Sequence, residues 1–291
     1  MIGTAARPRE LGRPFRMNWL VYAEEWARAT LRDPLQHFTR RTRRHCPICK
    51  FSGLFIRSGR VDVRCPNCSS RERDRLVGHY LSRKKIDVRG KHVLHLSPER
   101  CFWRQWHAEP NYISGDIKKS PVANSVVDVT CIPFPDEHFD YLFCNHILEH
   151  VVEDRQGMRE CHRVLKPRGL AIFSVPLFEN GRETFEPPVG MSKRKIQRIC
   201  GWDHKRIYGF DFLDRLREAG FETAEITCTP EDAARYRMTH DKVAHISGHR
   251  VFVAWKTKAA VARDDVPDTR ADAAPRAHDG PRPEAPLAAA P

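Results

Sequence analysis

The sequence predicts an α/β fold: a largely parallel sheet with helices on both faces, preceded by a small cysteine-knuckle β-hairpin module. Three observations predict it. First, short apolar runs occur at Val93-Leu94-His95-Leu96, Tyr112-Ile113, Tyr141-Leu142-Phe143-Cys144 and Leu170-Ala171-Ile172-Phe173-Ser174-Val175. They have the length and continuity of strands covered on both sides. Second, several of these runs end in polar or acidic residues, as strands do at the edge where an open sheet binds ligands. Third, Met158, Cys161 and Leu165 fall three and four apart between the last two runs, giving a helix one apolar stripe.

From the N-terminus, residues 1–16 read as poorly ordered. Residues 17–38 read as a helix with Trp19, Leu20, Ala23, Trp26, Ala27 and Leu31 on one side. Such a helix docks on its own protein, on a membrane surface or on a partner. Residues 1–44 are therefore read as an N-terminal arm and amphipathic helix.

Cys46-Pro47-Ile48-Cys49 and Cys65-Pro66-Asn67-Cys68 are two Cys-x-x-Cys knuckles separated by 15 residues. That spacing brings four thiolates around one tetrahedral zinc, with no coordination position left for catalysis. A structural zinc held by Cys46, Cys49, Cys65 and Cys68 is expected, with an iron–sulfur cluster as the competing occupant. Phe51–Gly59 and Val61–Arg64 read as the intervening hairpin, turning near Ser58-Gly59, and residues 45–70 as a zinc-ribbon-like module. The other six cysteines, Cys101, Cys131, Cys144, Cys161, Cys200 and Cys228, show no ligand spacing and read as small buried hydrophobes.

Leu76, Val77, Tyr80 and Leu81 make the stripe of a helix leading into the main domain, residues 71–258. The alternating charges Arg71-Glu72-Arg73-Asp74-Arg75 read as a solvated, salt-bridged face, or as a clamp for a phosphate or carboxylate. The first buried strand ends near Ser97-Pro98-Glu99. Tyr112–Asp116 reads as the second strand and Val126–Thr130 as the end of the third. Pro133 and Pro135 stop any helix before the fourth strand, and Asn145 and His146 place polar side chains at its carboxyl end. His150 lies four residues after His146, so both could share one helical face. Pro167 and Gly169 end the following helix. The polar segment Phe178–Lys205, with Pro187-Pro188, reads as an insertion or lid, and His204 and Tyr208 as candidates to line a pocket. Phe210–Phe221 reads as an amphipathic helix with Gly220 as its C-terminal cap.

Taken in order, Asp116, Asp128, Ile132-Pro133-Phe134-Pro135-Asp136, Asn145-His146, Glu149-His150 and Arg163-Val164-Leu165-Lys166-Pro167 resemble the methyltransferase type 11 family of class I S-adenosylmethionine (SAM) methyltransferases. The resemblance covers roughly residues 91–256. It implies a Rossmann-like seven-stranded sheet, SAM as cofactor, and methyl transfer to an O or N nucleophile. It also implies that Ser97 and Glu99 lie at the amino-acid moiety of SAM, Asp116 at the ribose, Asp128 and Val129 at the adenine, and Asn145 and His146 beside the methyl donor. Where the family carries a glycine-rich turn this chain has Ser97-Pro98-Glu99, and His95 stands at a usually acidic position. Two readings follow: a reshaped loop whose Glu99 binds the SAM ammonium, or a lost site. His146 and His150 are the candidate bases, needed only if the acceptor must lose a proton.

Composition bounds the rest. Hydrophobic residues make up 41% of the 291, enough for a substantial core. No apolar run approaches the roughly 20 residues of a membrane span, no signal-peptide pattern is seen, and a cytoplasmic protein is expected. The net charge of +13 is lopsided: residues 1–91 hold 22 Lys and Arg against 8 Asp and Glu. Such a surface attracts polyanions such as RNA, or is simply solvated charge. The acceptor is accordingly read as RNA, a small molecule or a glycan. A non-catalytic zinc adaptor with a decayed methyltransferase domain is the alternative. Residues 259–291, rich in Ala, Pro, Arg and Asp, read as a disordered tail.

Overall fold

The computed structural model describes residues 42–257, apart from positions 59, 179–182, 202 and 239–245, together with isolated positions between 23 and 34. The arm over 1–16, nearly all of the helix expected over 17–38 and the tail from 259 lie outside the described residues. No helix among the described residues is long and apolar enough to cross a membrane.

The knuckle region forms two small antiparallel pairs. β1 (Arg43–His45) pairs with β2 (Ser52–Leu54), and β3 (Ile56–Ser58) with β4 (Arg60–Arg64). The expected hairpin is thus divided: its first half turns back onto residues ahead of the first knuckle. α1 (Glu72–Arg83) follows. Its charged first turn is not solvated, for Glu72, Asp74 and Arg75 are 2%, 6% and 0% exposed. The cause is Arg75. Its guanidinium donates to the carbonyls of Ser70, Tyr236 and Arg237, each at 2.7 Å, and lies 4.8 Å over the Phe55 ring. Gly78 lets the knuckle approach this helix, since a Cβ there would stand 2.5 Å from Ile48.

The main sheet has seven strands. They are β5 (Val93–Leu96), β6 (Tyr112–Asp116), β7 (Ser125–Val126), β8 (Phe139–Asn145), β9 (Leu165–Phe178), β10 (Phe221–Glu225) and β11 (Ile246–Lys256). Their spatial order is β10-β11-β9-β8-β5-β6-β7. β5 runs parallel to β6 and β8, β6 to β7, and β8 to β9, whereas β11 is antiparallel to both β9 and β10. The helices between them are α2 (Arg100–Trp106), α3 (Asp154–Val164), α4 (Lys193–Cys200), α5 (Phe212–Glu218) and α6 (Pro230–Tyr236). This is the mixed, Rossmann-like architecture that the resemblance implied.

Alternation along the strands divides the interior in two. Leu94, Leu96, Leu142, Cys144, Ala171 and Phe173 join Met158, Cys161 and Val164 of α3 and Leu216 of α5. Val93, Phe143 and Ile172 join Val77 and Leu81 of α1, Phe102 and Trp106 of α2, and the knuckle cysteines. The knuckle region therefore packs into the same core as one face of the sheet.

Three local expectations shift. The third strand shrinks to two residues, because Asp128 Oδ1 accepts from both N–H and Oγ1 of Thr130, at 2.8 and 2.7 Å, and closes a turn. β9 is longer at both ends than the apolar run. α6, begun by Thr229 accepting from the Asp232 N–H with Pro230 at its first position, was not expected. Gly220 does end α5 with φ +102, a conformation L-residues rarely adopt.

Candidate active site at the strand ends

Parallel strands deliver their carboxyl ends to one edge, and the register sets which residues stand abreast. Leu96 pairs with Gly115 and with Cys144, so Ser97, Asp116 and Asn145 follow at one level. Two of these strand ends turn sharply after their last ladder bond. The Ser97 N–H donates to the Gly115 carbonyl (2.7 Å) and Ser97 then has φ +45. The His146 N–H donates to the Ser174 carbonyl (2.8 Å) and His146 has φ +55. Left-handed backbone at non-glycine residues costs about 1 kcal/mol or more each and gathers where function needs it.

At the first strand end, the unusual His95 and Glu99 explain one another. His95 is fully buried in a cage of Phe102, Trp106, Tyr112 and Phe143. Its Nε2 lies 2.7 Å from Glu99 Oε2 and its Nδ1 2.7 Å from the Tyr112 hydroxyl. A neutral ring satisfies both contacts by donating to Glu99 and accepting from Tyr112. Burial raises the Glu99 carboxyl, but the hydrogen bond from His95, helped by the Arg73 charge, outweighs it and holds it below its ordinary value. Glu99 therefore presents a carboxylate at the edge, with one oxygen committed to His95.

The other expected contacts divide. The Asp116 carboxylate is half-buried and makes no hydrogen bond among the described residues. Asp128 is exposed and closes its turn, while the Val129 side chain is core. Asn145 is 5% exposed, and its Oδ1 is buried without a hydrogen-bond partner among the described residues.

His146 and His150 do not share a helical face. His146 is left-handed and Leu148–His150 is a single 3-10 turn, so no α-helix carries both. His146 Nδ1 lies 3.0 Å from Glu149 Oε1. Burial, then the Arg73 charge, push the His146 imidazole well below its ordinary value. His150 Nδ1 instead donates to the Asp203 carbonyl at 3.1 Å, and the ring meets His204 edge-to-face at 4.7 Å. One ligand atom from each of Glu149, His150 and His204 lies within 4.8 Å of the others.

Residues 204–206 are tied to this turn. The Lys205 N–H donates to the Glu149 carbonyl at 2.7 Å. Arg206, 4% exposed, donates to the carbonyls of Leu148 (3.2 Å), Val151 and Val152 (2.7 Å). Tyr208 is not a pocket residue. It is fully buried and donates to Asp154 Oδ2 at 2.7 Å, a carboxylate also paired with Arg215. Arg73, within the run that reads as a solvated face or as a phosphate or carboxylate clamp, places its charge on Glu99, His146 and Glu149. No local sequence signal separates Arg73 from its charged neighbours.

The four knuckle cysteines converge. Cys46 Sγ lies 3.7 Å from Cys68 Sγ and Cys49 Sγ 3.6 Å from Cys65 Sγ. These match the separation of about 3.8 Å expected for tetrahedral zinc thiolates and exceed the S–S bond of about 2.05 Å. The knuckles share one geometry. In each, the residue after the second cysteine is left-handed (Lys50, φ +61; Ser69, φ +66) and donates its N–H to the carbonyl of the first. Of the remaining cysteines, Cys101, Cys144, Cys161 and Cys200 are buried, Cys228 is partly buried and Cys131 is exposed.

Known proteins match this region. Residues 94–173 match the family model described as methyltransferase domain. The tRNA U34 carboxymethyltransferase of Nautilia profundicola is 27% identical over 135 residues, covering 46% of this chain and 40% of that protein. Malonyl-[acyl-carrier protein] O-methyltransferase 1 of Coxiella burnetii is 43% identical over 59 residues, 20% of this chain and 21% of that protein. Demethylmenaquinone methyltransferase of Staphylococcus carnosus is 26% identical over 113 residues, 34% and 47%. Among solved structures, 1,6-didemethyltoxoflavin-N1-methyltransferase of Burkholderia thailandensis superposes with a TM-score of 0.43 at 15% identity, covering 64% of this chain and 79% of that one. The chain spans less than half the length of each of the three curated relatives named. The stretch from Asp116 to Pro167 that carries the resemblance lies within the residues matched by the methyltransferase domain model.

Proposed function

We propose that the chain transfers a methyl group from SAM to an O or N nucleophile, with the cofactor held along the Ser97–Asp116–Asn145 edge. The observation that carries the reading is the abreast register of these three strand ends, where the buried Asn145 Oδ1 has no hydrogen-bond partner among the described residues. A buried polar atom without a partner costs about 1–3 kcal/mol, so a polar ligand is its natural complement.

Bound SAM supplies a sulfonium methyl, and the protein's part is to orient the acceptor and exclude water. Asp116 accepts from the ribose hydroxyls. Asp128 and the Val129 backbone meet the adenine. Glu99, kept ionised by His95, faces the ammonium with the oxygen that His95 leaves. Where the acceptor must lose a proton, His146 or His150 takes it. His146 is the better placed, because Glu149 on Nδ1 fixes the tautomer that leaves Nε2 as the accepting nitrogen. A structural zinc on Cys46, Cys49, Cys65 and Cys68 holds the knuckles against α1.

Calorimetric titration with SAM tests the reading; no heat of binding at millimolar ligand overturns it. RNA as acceptor, reached through the basic N-terminal third, predicts binding that weakens steeply with salt. A small molecule or glycan predicts no such dependence. The substitution of a glycine turn by Ser97-Pro98-Glu99 favours a second reading, a zinc adaptor whose methyltransferase domain has lost turnover. Binding of S-adenosylhomocysteine without methylation of any acceptor supports it.

A further inference from the structure

Beside the expected methyl donor the structure gathers a set of side chains that methyl transfer alone does not require. We propose that Glu149, His150 and His204 bind a divalent transition-metal cation of the zinc type, at a second metal site separate from the four cysteines.

Three observations converge on it. Donor atoms of the three residues lie within 4.8 Å of one another, although His204 is 54 positions beyond His150 in sequence. Glu149 is 1% exposed and its Oε2 is buried without a hydrogen-bond partner among the described residues. A carboxylate oxygen left this way requires a cation or a water.

The third observation is the shell behind the donors. Metal-binding imidazoles give their other nitrogen to a carbonyl or carboxylate, and ligating carboxylates are themselves hydrogen-bonded. His150 places Nδ1 on the Asp203 carbonyl at 3.1 Å, which leaves Nε2 for the ion. Glu149 Oε1 accepts from His146 Nδ1 at 3.0 Å, which leaves Oε2. Lys205 and Arg206 lock the segment carrying His204 onto the turn carrying Glu149 and His150.

The donor set selects the ion. Two imidazoles and one carboxylate suit zinc, manganese or iron(II), whereas magnesium and calcium prefer oxygen ligands throughout. Three protein ligands leave at least one position open, unlike the closed cysteine site. An ion there acts as a Lewis acid that holds and acidifies an acceptor hydroxyl next to the strand end at His146. It favours an O nucleophile over a nitrogen, and with His150 occupied as a ligand, proton acceptance passes to His146.

The test is a zinc count on the full-length chain. Protein equilibrated with zinc and desalted is measured by elemental analysis, and X-ray absorption reports the ligand type. Two zinc ions per chain are expected, one with sulfur ligands and one with nitrogen and oxygen. H204A and H150N should each hold one, the sulfur-bound ion, with unchanged far-UV circular dichroism; His150 is partly exposed, so H150N keeps the comparison if H204A does not fold. H146A should weaken the second site about 10–100-fold through loss of its hold on Glu149. A single zinc in the wild type, or a second equivalent that survives in the folded variants, overturns the proposal. Neither result depends on SAM binding, so failure here is distinguishable from failure of the methyltransferase reading.

Discussion

His95 and Glu99 meet at 2.7 Å across the turn that ends the first strand of the sheet. Each residue departs from the pattern of the family, and each makes the other tolerable: the acid lost at position 95 returns from position 99. Glu99→Ala leaves a fully buried His95 nitrogen unpaired and should cost about 1–3 kcal/mol in urea unfolding. Glu99→Gln keeps an acceptor for His95 and should cost less, yet weaken SAM at least about tenfold in calorimetry. Undiminished SAM affinity in Glu99→Gln would remove Glu99 from the cofactor site.

Asp116 offers the converse case, a half-buried carboxylate with no hydrogen-bond partner among the described residues. Asp116→Ala should leave stability within about 0.5 kcal/mol and weaken SAM binding about 10-fold or more. Loss of stability without loss of binding would mark the residue as structural.

Zinc removal should undo more than the knuckles. Cys46 and Cys68 both contact the Ser70 hydroxyl, and the Ser70 carbonyl takes the Arg75 guanidinium. Chelation or Cys46→Ser should therefore release one sulfur-bound zinc and lower the thermal midpoint by several degrees or more. A variant with unchanged zinc content and midpoint contradicts the structural site.

Arg206 is buried beside Asp154, 3.7 Å away, and satisfies three carbonyls of the 148–152 segment. Arg206→Met strands those groups and should cost about 3–5 kcal/mol. The same variant should loosen the second metal site, read as a weaker second zinc equivalent.

Asp74 gives a pH signature. Burial pushes its carboxyl up to about 6, against an ordinary value near 4. The unfolded chain loses this proton near pH 4, whereas the folded chain keeps it until about pH 6. Stability due to Asp74 thus falls as pH rises from 4 to 6 and is level above that. Chemical unfolding of the wild type and Asp74→Asn, compared across this range, should show the wild type losing about 2–3 kcal/mol relative to the variant. A difference that does not change with pH rules out the buried carboxyl as its source.

The sequence by itself determined the sheet, the helix before β9, the cysteine site and the row of strand-end residues. Each rests on a local pattern: continuous apolar runs, three-and-four spacing, proline and glycine stops, or paired knuckles with fixed separation. Tertiary structure decided the rest. His146 and His150 follow helical spacing, but the left-handed backbone at His146 keeps them off a common helix. Arg75 sits in an alternating charged run, yet is wholly buried because distant carbonyls at Tyr236 and Arg237 accept its protons. Tyr208 looked like a pocket residue until Asp154, 54 positions away, drew its hydroxyl into the core. The Glu149–His150–His204 cluster is the clearest case. No spacing in the chain announces it, because the third ligand arrives on a loop fixed by Arg206 and Lys205, contacts that exist only once the sheet has formed.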